Sequence, residues 1–431
     1  MTAIPLEQAG ADRRGEPARP AAYAWVVFAL TFGLLISDYM ARQVLNAVFP
    51  LLKAEWALSD TQLGALSGVV ALTVGLLTFP LSLLADRWGW IRSITMMAIL
   101  WSIATLICGM AKSYEAMFAG RLLVGIGEAA YGSVGIAVVV SVFPKSMRAT
   151  LAAAFMAGGL VGQVLGVGLG GHIAGLYGWR TAFLAIALAG LALALIYPLV
   201  VQQRRTDALA ERLGNAPGIS EGARPSLKLL FAKRALVCAY VASGLQLYVG
   251  GALPAWLPTY FHDYYGLGIA AAGTRAALFL LVGGAGMVLC AMLSDRLSKR
   301  RPTAKYELSI CCSLICAGVL ALAFALPPGP LQLAALAAGM FFAAATSGPA
   351  GAMVANLTPL RIHGSAFATL TVANNALGLA AGPILTGRLA DAWGLSGAFA
   401  VLPIPCIAAA IIFWIGRRSY PADLASSAAR A

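Results

Sequence analysis

The sequence predicts an all-α membrane protein of about twelve transmembrane helices arranged as two parallel six-helix halves. Three observations carry this prediction. The chain is 60% hydrophobic and 11% charged, with a mean hydropathy of +0.82, far outside the range of soluble domains. Apolar runs of around 20 residues, enough to cross about 30 Å of hydrocarbon, recur along its whole length. An internal repeat then relates the first half of these runs to the second.

The elements follow in order. Residues 1–21, with Arg13, Arg14, Arg19, Glu7, Asp12 and Glu16, lack the apolar core and cleavage site of a signal peptide and read as a disordered cytoplasmic tail. The N-terminal half, 22–202, holds runs at 22–48, 61–84, 92–111, 116–142, 149–175 and 180–202. A polar stretch, 203–234, with Arg204, Arg205, Arg212 and Arg224 around Pro217, Gly218 and Ser220, forms a cytoplasmic linker. The C-terminal half, 235–416, holds runs at 235–260, 269–293, 307–326, 331–356, 364–390 and 395–416, and 417–431 is a second cytoplasmic tail.

An even number of spans puts both ends on one side. On that side lie all of the 30 Lys and Arg except Lys53, Lys112 and Arg180 in opposite loops, and Arg42, Arg121, Arg275 and Arg388 within or at the ends of spans. The positive-inside rule therefore places both termini in the cytoplasm, in a bacterial-type inner membrane. The net charge of +13 is thus accounted for by topology, and no basic face is left for nucleic acid.

The repeat is visible without gaps. At one constant offset Gly162, Gly166, Leu169, Gly171, Ala174, Gly178, Ala182 and Phe183 meet Gly378, Gly382, Leu385, Gly387, Ala390, Gly394, Ala398 and Phe399. At a slightly shorter offset Asp86-Arg87 meets Asp295-Arg296. Glycines clustered from Gly158 to Gly171, and at Gly378, Gly382 and Gly387, let helix backbones approach closely. Such contacts suit either static packing or the seam between two moving halves.

Several function classes are disfavoured. No GxxxxGK[ST] loop and no Ser, His and Asp constellation is present, so the chain is expected not to be an enzyme and to draw on a proton gradient with no cofactor. Three scattered histidines and seven cysteines within apolar runs predict neither a metal site nor a disulfide.

The chemistry concentrates in Arg121-Leu-Leu-Val-Gly-Ile-Gly-Glu128-Ala-Ala-Tyr131. Seven residues is about two helical turns, so Arg121 and Glu128 share a face, with Tyr131 near them. A charge at mid-membrane costs upward of about 2.5 kcal/mol and normally faces a partner or an aqueous cavity. Of 17 acidic residues only Asp38 and Glu128 sit deep in a span. Burial opposes ionisation of a carboxyl and an adjacent guanidinium favours it, so Glu128 paired with Arg121 can exchange a proton when the pairing changes. Arg42 and Arg121 offer planar forks for a carboxylate or sulfonate. Arg275, early in span 8, is either a third contact or an arginine reaching to the surface.

Leu84-Ala-Asp86-Arg87-Trp-Gly89-Trp-Ile-Arg92, with Asp295-Arg296-Leu-Ser-Lys299-Arg300 as a second copy, resembles the loop 2–3 signature of the major facilitator superfamily. Ser82 and Ala291 replace its usual glycines, and Trp90 and Ile91 its basic residues. The resemblance implies that Asp86, Arg87, Asp295 and Arg296 gate the cytoplasmic seam. Asp38-Tyr39-Met40-Ala41-Arg42 with the 121–131 stretch is similar to the anion:cation symporter and spinster-like branches, and Trp256-Leu-Pro-Thr-Tyr-Phe261 suits the former. Both branches carry aspartate where this chain has Ala41, so either Asp38, one turn earlier on the face of Arg42, takes over its role or the coupling rests on Glu128 alone. The resemblance also implies that Tyr39, Tyr131, Gln163, Asn374 and Asn375 line the cavity.

The expected function is a monomeric secondary transporter importing a small organic anion, a carboxylate, sugar acid or sulfonate, with protons. Its partners are that solute, protons and membrane lipid. A spinster-like exporter of amphipathic or lipid-like molecules and a non-transporting membrane sensor are the alternatives.

Overall fold

A computed structural model describes residues 22–213, 228–359 and 362–428. The expected N-terminal tail, the middle of the linker and the last residues of the C-terminal tail lie outside the described residues. The described residues are helices joined by short turns, with no strand among them. In the N-terminal half these are α1 (Ala22–Ala47), α2 (Asp60–Trp88), α3 (Trp90–Met110), α4 (Tyr114–Ser141), α5 (Lys145–Tyr177) and α6 (Trp179–Val200). The C-terminal half has α7 (Arg234–Tyr265), α8 (Ile269–Ser298), α9 (Ala304–Ala325), α10 (Pro330–Leu357), α11 (His363–Ala400) and α12 (Pro403–Ala428).

Among the described residues, α1–α11 are long and apolar enough to cross a membrane. In α12 the apolar stretch ends at Arg417 and Arg418, and the helix runs on to Ala428. Most of the expected C-terminal tail is therefore packed helix: Asp423 accepts the Ala235 N–H at 2.9 Å, and Tyr420 Oη accepts from Asn356 at 3.1 Å. The linker likewise contains a helix, Gln203–Arg212, whose Gln203 Oε1 accepts the Ile91 N–H at 3.1 Å.

The backbone obeys the repeat closely. Gly178 (φ 85°, ψ 158°) separates α5 from α6, and its mate Gly394 (φ 71°, ψ 166°) breaks α11 at the same place. Only glycine takes this conformation without strain. The spans expected to be continuous at 116–142 and 331–356 are each two helices. α4 divides into Tyr114–Glu128 and Tyr131–Ser141, and α10 into Pro330–Ala343 and Ser347–Leu357, with the breaks at repeat-equivalent positions. In α10 the break has a plain cause, since Pro349 has no N–H to extend the first segment. In α4, Gly125, Gly127 and Gly132 weaken the helix around its break.

The glycine stripes divide by role. A Cβ on Gly162 or Gly166 would strike α1 at Tyr39 or Met40, and one on Gly378 or Gly382 would strike α7 at Leu247 or Tyr248. These glycines build each half. Others cross the seam, among them Gly168 against Ala277, Gly171, 3.2 Å from Gly273 measured from an added Cβ, and Gly387, against Asp60 of α2.

The two ends of the bundle differ. At the end away from the termini, Asp391 of α11 accepts the Asp60 and Thr61 N–H groups at 2.7 and 2.9 Å and the Thr61 hydroxyl at 2.5 Å. A carboxylate from one half thus caps the α2 N-terminus of the other, a favourable charge-to-dipole contact. Nearby, in the short helix Phe49–Trp56, Glu55 accepts from Arg180 at 2.7 Å and from Trp179 at 2.7 Å. The Arg180 hydrogen bond holds its carboxyl below the usual range. At the end bearing the termini, Asp86, Arg87, Asp295 and Arg296 are exposed, and among the described residues no ion pair joins the two copies. Asp86 accepts only from Trp90 of its own half, at 3.2 Å. The seam is closed at the far end and released at the near one.

Asp391→Ala removes three hydrogen bonds from the closed seam. With Ser67→Cys as a reporter in a Cys311→Ser background, labelling by an impermeant thiol reagent from the far side should accelerate at least about tenfold. An unchanged rate would mean that this contact does not hold the far end shut.

Candidate functional site

The face of α1 that turns inward carries Tyr39, Arg42, Gln43 and Asn46, spaced three and four apart as one helix stripe requires. Opposite Arg42, the first segment of α4 ends at Glu128. Arg42 donates from Nε at 2.9 Å and pairs through its terminal nitrogen at 2.8 Å, both to Glu128 Oε2. The arginine side chain is 18% exposed and the glutamate 1%, so the cation reaches the cavity while the carboxylate behind it is dry. The guanidinium also lies 5.6 Å from the Tyr39 ring, within cation–π range. Asp38 is buried beside them, in electrostatic reach of Glu128 and Arg42. Among the described residues, nothing donates to buried Glu128 Oε1 or Asp38 Oδ1.

Arg121 does not take the place expected of it. It is fully buried, and its fork donates to Leu66 O at 3.2 Å, Ala41 O at 3.0 Å and Arg42 O at 3.0 Å. It ties α4 to the backbones of α1 and α2 and offers no fork to a solute. Glu128 pairs with Arg42 instead because seven helical residues are about 10 Å along the axis, too far for side chains on one helix to meet easily. Tyr131 is also structural: its hydroxyl donates to Thr31 O at 2.5 Å and its ring packs edge-on to Trp101. Arg275 lies near the far end, its guanidinium 6.0 Å from the Phe261 ring, in keeping with the reading as an arginine reaching outward. Asn374 and Asn375 fall in a π-helical stretch, Asn374–Ala380, where Asn375 donates to Thr371 O at 2.9 Å and abuts Gly75 of the seam. Neither lines the cavities described next.

A cavity of about 230 Å³ lies between the halves, with Tyr39, Arg42 and Gln163 in its wall. Gln43, Asn46, Ser67 and Ser347 also line it and were not singled out from the sequence. Gln43 and Asn46 carry a usable signal, since they continue the Tyr39 stripe by four and seven residues. A second chamber of about 390 Å³ adjoins, sharing Tyr39, Gln163, Gly250, Pro254, Met287 and Ala344. It is lined by α5 and α8, which touch at Leu160 and Gly284, together with α1, α7 and α10, and Met156 and Val288 stand at its exposed edge. The arrangement can hold one anionic group on Arg42, surrounded by amide and hydroxyl groups.

Arg121→Lys should lower the thermal unfolding midpoint in detergent by several degrees, because one ammonium cannot serve three separated carbonyls and each orphaned buried acceptor costs about 1–3 kcal/mol. Unchanged stability with weakened solute binding would return Arg121 to the binding site.

Residues 31–328 match the Major Facilitator Superfamily. Among curated proteins, the chain is 26% identical over 303 residues to a probable L-galactonate transporter of Escherichia coli (strain K12), covering 68% of this chain and 67% of that one. It is 23% identical over 383 residues to the hexuronate transporter of Bacillus subtilis (strain 168), covering 87% and 89%. Among solved structures, a bacterial homologue of the human lysosomal transporter Spinster superposes with a TM-score of 0.83 at 20% identity, covering 94% of this chain and 98% of that one. The sensor reading finds no support in these likenesses. With two six-helix halves around a central cavity and a match over most of its length, the chain belongs to the Major Facilitator Superfamily and is a membrane transporter.

Proposed function

We propose that the protein is a proton-coupled symporter that imports a small organic anion across a bacterial inner membrane, working as a monomer with both termini in the cytoplasm. The observation that carries this reading is the Arg42 and Glu128 pair at the cavity edge. A solute carboxylate reaching Arg42 competes with Glu128 for the same guanidinium. Once displaced, Glu128 is a buried carboxylate without its cation, and a proton from the gradient is the counter-charge left to neutralise it. Solute and proton binding then favour one another, and by linkage the coupling is reciprocal. Asp38, one turn before Arg42, stands in for the aspartate that Ala41 replaces. The named activities of the galactonate and hexuronate relatives agree with an organic acid as solute.

Orientation follows from the loop charges. With the termini inside, the end closed by Asp391 faces outward and the cavity opens to the cytoplasm, where the exposed Asp86, Arg87, Asp295 and Arg296 would re-pair as the halves rock back. One observation favours the alternative of exporting an amphipathic molecule: the second chamber is almost wholly apolar.

In proteoliposomes, Glu128→Gln should abolish accumulation driven by an inward proton gradient while counterflow exchange persists, since exchange needs no net proton movement. Arg42→Ala should abolish both. Loss of exchange in Glu128→Gln would assign Glu128 a structural role, and accumulation driven only by an outward-directed gradient would favour export.

A further inference from the structure

The symmetry of the fold makes the two walls of the cavity comparable position by position. A Cβ on Gly162 would meet Ile36 O and Tyr39 Cβ, and one on its mate Gly378 would meet Gly244 O and Leu247 Cβ. Gly166 and Gly382 meet Met40 O and Tyr248 O in the same way. This register pairs Tyr39 with Leu247, Arg42 with Gly250, Gln43 with Gly251 and Asn46 with Pro254, and every one of these residues lines the cavity. On α5 and α11 the repeat pairs Gln163 with Leu379, again both in the wall. On α4 and α10 it pairs Glu128 with Ala344.

At each of these positions the N-terminal half presents a polar or charged side chain, and the C-terminal half one that neither donates nor accepts. At the α10 break the Phe342, Ala343 and Ala344 carbonyls are already engaged. Gln246 donates to Phe342 O and Ala343 O at 3.3 and 3.5 Å, and Ser347 N–H donates to Ala344 O at 3.2 Å. Ser347 is the one polar side chain that the C-terminal half adds to this cavity. The adjoining chamber extends the same character with Met156, Leu160, Leu280, Met287, Val288 and Met340.

We infer that the transported acid has an apolar, aromatic-type body, with its anionic end on Arg42 and its body against Leu247, Met287 and Leu379. The inference rests on the anion reading above and narrows it. A polyhydroxylated acid turned toward this wall would give up water from its hydroxyls with no partner in exchange. A ring buries its faces there without that loss, next to the soft methionine side chain of Met287 and the Tyr39 ring.

The test is counterflow in proteoliposomes with radiolabelled benzoate and radiolabelled galactonate, each also competing against the other, with leak into protein-free liposomes subtracted. Benzoate should be preferred by at least about tenfold. Leu379→Gln and Leu247→Asn, made singly, should each narrow that preference severalfold by restoring hydrogen-bonding groups to the bare wall. A preference for galactonate in the unaltered protein overturns the inference, as does a preference that neither variant moves while transport persists. In both cases anion transport itself still stands. Exchange of neither acid, where short dicarboxylates exchange in an Arg42-dependent way, also overturns the inference alone. Exchange that ignores Arg42→Ala for every acid removes the underlying reading as well.

Discussion

The pairing of Arg42 with Glu128 is the interaction on which the rest of the site depends. Neither charge is tolerable alone in a membrane interior, and together they are stable only while the geometry keeps them in contact. Both hydrogen bonds land on one carboxylate oxygen, and among the described residues the other oxygen has no donor. Such an incompletely satisfied pair is easily redistributed, which suits a switch better than a structural brace.

The surrounding chain supplies the rigidity that the pair itself lacks. Arg121 sits about two turns before Glu128 on the same segment, with its whole fork committed to carbonyls of α1 and α2. It fixes the α4 segment that ends at Glu128 against the helix that carries Arg42. Two neighbouring arginines thus divide the work, the fully buried Arg121 anchoring backbone and the partly exposed Arg42 facing the cavity. The break after Glu128 frees the carboxylate from a continuous helix, and the equivalent break in α10 is held by Gln246.

Both halves share one backbone plan, down to the glycine conformations at 178 and 394 and the interrupted fourth and tenth spans. Side chains then differentiate them. The N-terminal half carries the charge and the hydrogen bonding, and the C-terminal half supplies an apolar wall and the far-end latch through Asp391. On the proposed coupling, such a division would let one half bind the solute while the other closes over it.

From the sequence alone, the spans, the repeat and the presence of Arg42, Glu128, Asp38, Tyr39 and Gln163 within apolar runs were legible, because span length, glycine spacing and charge in an apolar run are local properties. The partner of each charge was not. Arg121 and Arg42 are equally conspicuous in the sequence, and only the approach of α1 to α4 decides that one meets carbonyls and the other Glu128. Tyr131, Asn374 and Asn375 left the cavity for similar reasons, since a helix face names a direction and the neighbouring helix decides what lies there. The one-sided character of the cavity also belongs to tertiary structure: Leu247, Gly250 and Leu379 are ordinary membrane residues until the fold sets them across from Tyr39, Arg42 and Gln163.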